Sequence, residues 1–366
     1  MILKLLFISQ NEAPFRMKWM DELAKYMDVK IYHLNEYEEN ISNEYISYHT
    51  YRAQTEDIST SIFKKKLYDY KKILKEDYDV LLLDGYGFFA QQLLIIFLKI
   101  IKKKYGLSID GGFIPKKENI LKKKIKTFFI KGATFYLSTS QDTDSYLNYY
   151  GVNKNIIYRH YFSNVSDNDI ENSPLSLEEK LKIRTDLGIE NVFTLISVGQ
   201  LIYRKGFDCL VEAIKGIHGE FQLFIIGSGN NSHLKDMMIK NKHIHHIEFI
   251  SRDQLDQYYK ASDVFILPTR EDVWGLVVGE AMAKGLPIIA TNKCLAAKAM
   301  IENGMNGYIV CPENIDEMMN AIIKVMNVDL NNMGAKSIET IKKYSLEYSA
   351  KCDYMLFKEL KNNELL

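Results

Sequence analysis

At 366 residues the chain exceeds one ordinary core and suits two domains of roughly 150–200 residues each. A content of 47% hydrophobic and 26% charged residues excludes wholesale disorder. The 47 basic residues balance the 47 acidic ones, which argues against a dedicated nucleic-acid binder, since such a protein needs a basic excess to replace phosphate counterions.

The balance is not local. Between Lys99 and Lys131 stand eleven lysines against Asp110 and Glu118, so one face of the N-terminal half should be strongly positive and point to an anionic neighbour. The chain opens on Met-Ile-Leu-Lys and runs straight into an apolar strand pattern without the order of a signal peptide, from which a cytoplasmic setting is expected, with the lysine-rich face as the point of any peripheral contact with the inner membrane face. Cys209, Cys294, Cys311 and Cys352 are widely spaced with no CxxC pair, so neither a disulfide framework nor a zinc site is expected.

In chain order, short apolar runs alternate with helical patterns, as parallel sheets built from strand–helix–strand units require. The first half reads as strands at Leu3–Ile8, Val29–His33, Val80–Asp84, Tyr105–Ile109 and Phe135–Ser138, with helices between. The apolar stretch Leu93–Ile101 is too short to cross a bilayer, which takes roughly 20 residues. Two readings stay open for it: a helix at a membrane surface, or a core helix with a solvated basic end. Asn164–Leu177 is polar and proline-bearing, a linker composition. Beyond it come Phe193–Val198, helix Phe207–Ile217, Phe221–Ile226, helix Asn231–Lys240, Ile244–Ile250, helix Gln254–Ala261, Val264–Leu267, Pro287–Thr291, Gly307–Cys311 and a last helix at Leu346–Leu360. The expected architecture is α/β: two Rossmann-like doubly wound domains, residues 1–165 and 166–345, with residues 346–366 returning to the first. Ligands of such sheets sit beyond the carboxyl ends of the strands, so a site is expected in the crevice between two such lobes.

The most informative segment runs from Pro268 to Thr291. An acidic loop (Glu271, Asp272, Val273, Trp274) leads through Gly275 into a helix that starts at Leu276 and Val277. A helix start offers unpaired N–H groups and a positive dipole end, which suits a diphosphate, and glycine removes the side chain that would block close approach. Glu280 falls on the same flank as Leu276 and Val277 and needs a partner there. Two vicinal ribose hydroxyls would serve, and so would an i,i+4 ion pair with Lys284.

Asp272 and Glu280, followed by Ala-Met-Ala-Lys-Gly-Leu-Pro, resemble the acid-x7-Glu signature of family 4 glycosyltransferases, whose fold is called GT-B. The resemblance implies that Glu280 holds the ribose and Asp272 the transferred sugar. Asp272 is one methylene shorter than the family's usual Glu, and Glu271 competes for the role. Ser197-Val-Gly-Gln-Leu-Ile-Tyr-Arg-Lys-Gly similarly resembles the family's Gly-Arg-Leu…Lys-Gly segment. By that likeness Gly199, Lys205 and the neutral Gln200 line the donor diphosphate, and Arg204 supplies the charge that Gln200 lacks. Gly227, in Ile-Gly-Ser-Gly, and Ser251-Arg252 fall at the family's base- and ribose-binding turns.

Toward the N-terminus the likeness is looser, and the family's glycine-rich loop after the first strand is absent. Asp110, in Ser-Ile-Asp-Gly-Gly-Phe, reads as an acceptor-side or active-site residue, or as a plain turn; Arg16 as a site for a phosphate or acidic acceptor, or as a surface residue; His160 as a minor acceptor-side candidate. His243, His245 and His246 lack the companions of a metal set, so no metal is expected. Asp142-x-Asp144 and Asp167-x-Asp169 read as capping and linker residues.

The resemblance implies a retaining, metal-independent hexosyltransferase that needs no cofactor beyond its nucleotide-sugar substrate, with UDP-sugar favoured. The N-terminal domain would bind the acceptor, a glycan or lipid-linked molecule, in cell-surface polysaccharide or glycolipid synthesis. The rival readings are a nucleotide-sugar epimerase on the same fold and a non-catalytic partner subunit, the latter motivated by Gln200 and Asp272. A nicotinamide dehydrogenase is discounted because no Gly-x-Gly-x-x-Gly follows the first strand.

Overall fold

A computed structural model describes residues 2–34, 53–57 and 70–366. The chain divides into two compact units, Met1–Asn164 with Ser345–Leu366, and Val165–Tyr344.

The first unit carries a parallel sheet of seven strands: β1 (Lys4–Ser9), β2 (Asp28–His33), β3 (Gln54–Asp57), β4 (Val80–Asp84), β5 (Gly106–Ile109), β6 (Phe135–Ser138) and β7 (Ile157–Arg159), in the order β3-β2-β1-β4-β5-β6-β7. The near-continuous Leu/Ile/Val/Phe runs arise because both faces are covered, and all of β4 is buried. Phe7, Trp19, Leu82, Phe135 and Phe357 share one core and Leu83, Leu94, Leu107 and Tyr136 another. β3 and β7 escape the sequence reading. β7 is a three-residue, half-buried strand whose Ile-Tyr-Arg is too short to show a period, and Gln-Thr-Glu-Asp in β3 is wholly polar.

The Leu346–Asn362 helix belongs to this unit, packing Leu346, Ala350, Phe357 and Leu360 into the core beside β1. Its polar anchor is Asp353, only 1% exposed, which accepts a hydrogen bond from Trp19 Nε1 (3.0 Å) and pairs with His160 Nδ1 (2.9 Å). The Phe89–Ile100 helix buries Ala90, Leu94, Ile95 and Leu98 against the sheet, so the Leu93–Ile101 stretch packs one face into the core and leaves Ile100 and Ile101 exposed at its basic end.

The second unit carries a six-stranded parallel sheet: β8 (Phe193–Val198), β9 (Phe221–Ile226), β10 (Ile244–Ile247), β11 (Val264–Leu267), β12 (Ile288–Thr291) and β13 (Gly307–Val310), ordered β10-β9-β8-β11-β12-β13. β10 stops at Ile247, three residues short of expectation, because the chain turns toward Ser251, which caps the Arg252–Ala261 helix by accepting from Gln254 N. In each sheet the strand order reverses at one point, between β1 and β4 in the first unit and between β8 and β11 in the second. There the loops leaving neighbouring strands diverge and leave room for a ligand at the carboxyl ends.

Candidate active site

In the second unit the reversal point brings together two loops that are distant in sequence. After β8 the chain passes Gly199 and an exposed Gln200, then makes a single 3₁₀ turn at Tyr203–Lys205. After β11 it enters the acidic loop before the Leu276–Ala283 helix. The loops are stitched by backbone and side-chain bonds: Arg270 N donates to Arg204 O (2.8 Å), and Arg204 Nη1 to Glu271 O (2.7 Å).

Lys205 Nζ forms an ion pair with Asp272, each side chain about one-seventh exposed, and Arg204 stands 3.8 Å from the same carboxylate. Three of the residues singled out in the sequence thus meet in one cluster of two cations and one anion. A group carrying two cations and one carboxylate keeps a net positive charge that a diphosphate would complement.

The helix that follows has no side-chain cap. Gly275 holds φ +95°, and a Cβ there would lie 2.6 Å from Cys294 Sγ, so no other residue fits without displacing its neighbour. Val278 N bonds back to Gly275 O (3.0 Å), and no side chain caps the N–H groups ahead of it, a helix start of the kind that takes an external acceptor. On its second turn Glu280 is part-buried; Tyr259 donates to its Oε2 (3.3 Å), and Arg252 Nη1 lies 3.8 Å from Oε1. Burial beside this carboxylate pushes the Tyr259 phenol well above its ordinary range, so it remains a neutral donor. The Glu280–Lys284 pair does not form, because Lys284 is held by Asp256 (2.6 Å) and by the Asp169 carbonyl (2.7 Å).

Gly227, at the end of β9, has φ +150°, and a Cβ would meet Gly199 O at 1.9 Å. Close approach of the two strand ends is what this glycine permits. Of the remaining candidates, Val273 is exposed and Leu276 and Val277 are half-buried. Trp274 is a correction: its ring is 4% exposed and turned into the unit near Tyr344, while its carbonyl accepts from Cys294 Sγ (2.8 Å). The Ser251 hydroxyl is engaged as a helix cap, accepting from Gln254 N (3.3 Å).

Arg270 escapes the sequence reading. It binds Asp208 through two nitrogens (2.8 and 2.7 Å) and Glu313 through Nε (2.7 Å), and lies 3.9 Å over the Tyr203 ring. Its only sequence signal is a cation beside the acidic loop. These bonds hold the Asp208 carboxyl below its usual range and fix the turn that carries Arg204 and Lys205.

The reversal point of the first unit gathers Arg16, Asp84 and Asp110. Arg16 reaches Asp84 with one nitrogen and Asp110 Oδ2 with the other (2.5 Å). Ser9 Oγ donates to Asp84 (3.1 Å) and Thr139 Oγ1 to the Asp110 carbonyl (2.6 Å). Burial pushes the Asp84 carboxyl up to about 6 in spite of Arg16. Arg16 is thus corrected: with two carboxylates on one guanidinium it carries no spare charge for a phosphate. Asp110 is the most exposed of the three. His160 is also corrected, being 2% exposed and bound to Asp353 beneath Trp19. Asp84 shows in the sequence only as the end of a strand.

The histidines of β10 and its approach serve locally: His243 stacks on Phe221 and His246 pairs with the Gly227 carbonyl. Asp144 accepts from Ser138 and Arg159, and Asp169 from Ser166. Among the described residues no group of three His, Cys, Asp or Glu is placed to hold a metal ion, and no helix is long and apolar enough to cross a membrane.

The fold and the site together define a class. Residues 179–344, most of the second unit, match the model of the glycosyl transferases group 1, and the two parallel-sheet units are those of the GT-B fold. Among solved structures, HepE of Anabaena in complex with UDP superposes with a TM-score of 0.78 at 14% identity, covering 98% of this chain and all of that one.

More particular relatives are partial matches. An uncharacterised glycosyltransferase of Haemophilus influenzae is 34% identical over 37% of this chain and 39% of its own. The alpha-monoglucosyldiacylglycerol synthase of Acholeplasma laidlawii is 30% identical over 52% of this chain and 49% of its own. The chain therefore spans less than half the length of these relatives in the matched regions.

Proposed function

We propose that the protein is a retaining glycosyltransferase that moves a hexose-type sugar from a nucleotide diphosphate donor, a UDP-sugar first among them, to an acceptor hydroxyl in cell-surface polysaccharide or glycolipid synthesis. The observation that carries the reading is the Arg204–Lys205–Asp272 cluster at the uncapped start of the Gly275 helix, with Glu280 one turn on. The UDP held by HepE, and the glucosyl group in the name of the Acholeplasma synthase, support the choice of donor.

In this reading Glu280 accepts both ribose hydroxyls, its orientation fixed by Tyr259 and Arg252. Lys205, Arg204 and the helix N–H groups take the diphosphate and stabilise the charge that grows on it as the sugar leaves. Asp272, relieved of Lys205, turns to the hydroxyls of the sugar. The acceptor hydroxyl attacks the anomeric carbon from the face of the leaving group as the C–O bond to phosphate breaks, and a phosphate oxygen takes its proton, which preserves configuration and balances charge. The cations take the role that a metal plays in other transferases. Asp110, with Arg16 and Asp84 behind it, orients acceptor hydroxyls on the first unit.

The test is calorimetric titration of UDP into the wild type and Glu280→Ala with chelator present, followed by NMR of the product's anomeric proton with a UDP-sugar donor. Tight UDP binding that falls by roughly 10- to 100-fold in Glu280→Ala fits a lost pair of hydrogen bonds to a charged group. Absence of UDP binding, or a product of inverted configuration, overturns the reading. A second reading, a non-catalytic partner, draws on the neutral Gln200 and on Lys205 already being paired; donor binding without turnover on any acceptor would select it.

A further inference from the structure

The helix Ile120–Ile130 breaks the usual rule for a surface helix. Its sequence, Ile-Leu-Lys-Lys-Lys-Ile-Lys-Thr-Phe-Phe-Ile, starts on Asn119, whose side chain accepts from Leu121 N (2.8 Å), and only Ile130 is buried. An ordinary amphipathic helix turns its apolar stripe to the core and its charges to water. Here two lysines are drawn to partners on the fold, Lys126 with its own side chain still 41% exposed. Lys123 Nζ sits 3.6 Å over the Tyr149 ring, and Lys126 Nζ lies 3.3 Å from Glu118, whose own side chain is 5% exposed.

The stripe left facing outward is apolar. Leu121, Ile125 and Phe128 follow one another at i, i+4 and i+7, hence on one face, and are 66%, 50% and 48% exposed. Ile120 adjoins it. Lys122 and Lys124, both exposed, flank the stripe on its two sides, and exposed Lys116 and Lys117 precede the helix. The helix holds no acidic residue, and Glu118 is committed to Lys126 and to the Tyr150 hydroxyl (2.8 Å).

We propose that this outward stripe is a docking surface for an anionic lipid bilayer, with Leu121, Ile125 and Phe128 entering the interfacial layer and Lys116, Lys117, Lys122 and Lys124 meeting the headgroups. Charge complementarity selects the occupant. A second copy of the chain would bring the same lysines against these, a like-charge contact that costs energy, whereas an anionic leaflet attracts each of them. Large apolar side chains ringed by lysines on a helix lying along a surface are the composition that binds the membrane interface. The inference is independent of the sugar-transfer reading, since it needs neither donor nor acceptor.

The experiment is flotation of the full chain with vesicles of phosphatidylcholine alone and of equal parts phosphatidylcholine and phosphatidylglycerol, at low and high salt. Three proteins are compared: wild type, Lys122→Gln/Lys124→Gln and Leu121→Ser/Ile125→Ser. All four substituted positions are solvent-facing, so thermal melts should superimpose. The wild type is expected to float with the anionic vesicles only, less so at high salt. Losing two lysines should weaken binding by roughly 30-fold, and losing two apolar side chains by at least roughly tenfold. Equal flotation with neutral and anionic vesicles, no flotation, or unchanged binding by either variant overturns the proposal. So does a wild type that is dimeric by light scattering while Leu121→Ser/Ile125→Ser is monomeric, because the second copy would then be the occupant.

Discussion

Asp272→Asn is the substitution that separates a donor site from a structural ion pair. Asparagine keeps the shape and removes the charge, leaving Lys205 with a neutral neighbour and Arg204 without its 3.8 Å counter-ion. Two unit charges about 4 Å apart interact by about 4 kcal/mol at an effective dielectric of about 20. Both side chains are mostly but not wholly buried, at 14% and 13% exposure, so desolvation and screening reduce the net loss to about 1–3 kcal/mol in the unliganded protein. If the diphosphate must take Lys205 from Asp272, removing the competing carboxylate should tighten UDP by on the order of tenfold while sugar transfer falls, because Asp272 no longer meets the sugar. The assay is calorimetric titration of UDP alongside steady-state transfer, with Lys205→Ala as the reference that loses the cation. Affinity for UDP unchanged in Asp272→Asn, or lowered as in Lys205→Ala, would refute the idea that carboxylate and phosphate compete for one ammonium.

Three further outcomes are expected. The raised Asp84 carboxyl, at about 6 against an ordinary 3.8, means that the folded state binds this proton more tightly than the unfolded chain, so its contribution is present below pH 4 and lost as pH rises through 6. Asp84→Asn should therefore gain stability relative to wild type between pH 4 and 7 in urea titrations, and parallel pH curves for the two proteins would contradict it. Asp353→Ala leaves the Trp19 N–H and His160 without their buried acceptor and should cost about 3 kcal/mol, read as a lower denaturation midpoint; a loss under about 0.5 kcal/mol would show that the C-terminal helix is held by apolar packing alone. Gly275→Ala forces a Cβ against Cys294 at an unfavourable φ and should both destabilise the second unit by about 1–3 kcal/mol and weaken UDP; a variant that melts and binds as wild type would remove the helix start from the donor site.

The alternation of buried apolar runs with helical patterns is enough to fix two parallel α/β units, because a strand covered on both faces has to be apolar at every position, as Val80–Asp84 is until its last residue. The glycines at 227 and 275 and the spacing from Asp272 to Glu280 are legible too, since close backbone approach and helical period leave marks in local sequence. What local sequence does not carry is pairing across distance. That Lys205 meets Asp272, that Arg270 clamps Asp208 and Glu313, and that Arg16 is spent on Asp84 and Asp110 are decided where the strand order reverses and loops far apart in the chain converge. The same holds for the direction a helix faces. Lysines and apolar residues alternate through Ile120–Ile130 in a pattern compatible with either face turned outward, and only the tyrosines and Glu118 of the surrounding fold, by accepting Lys123 and Lys126, turn its apolar stripe to solvent.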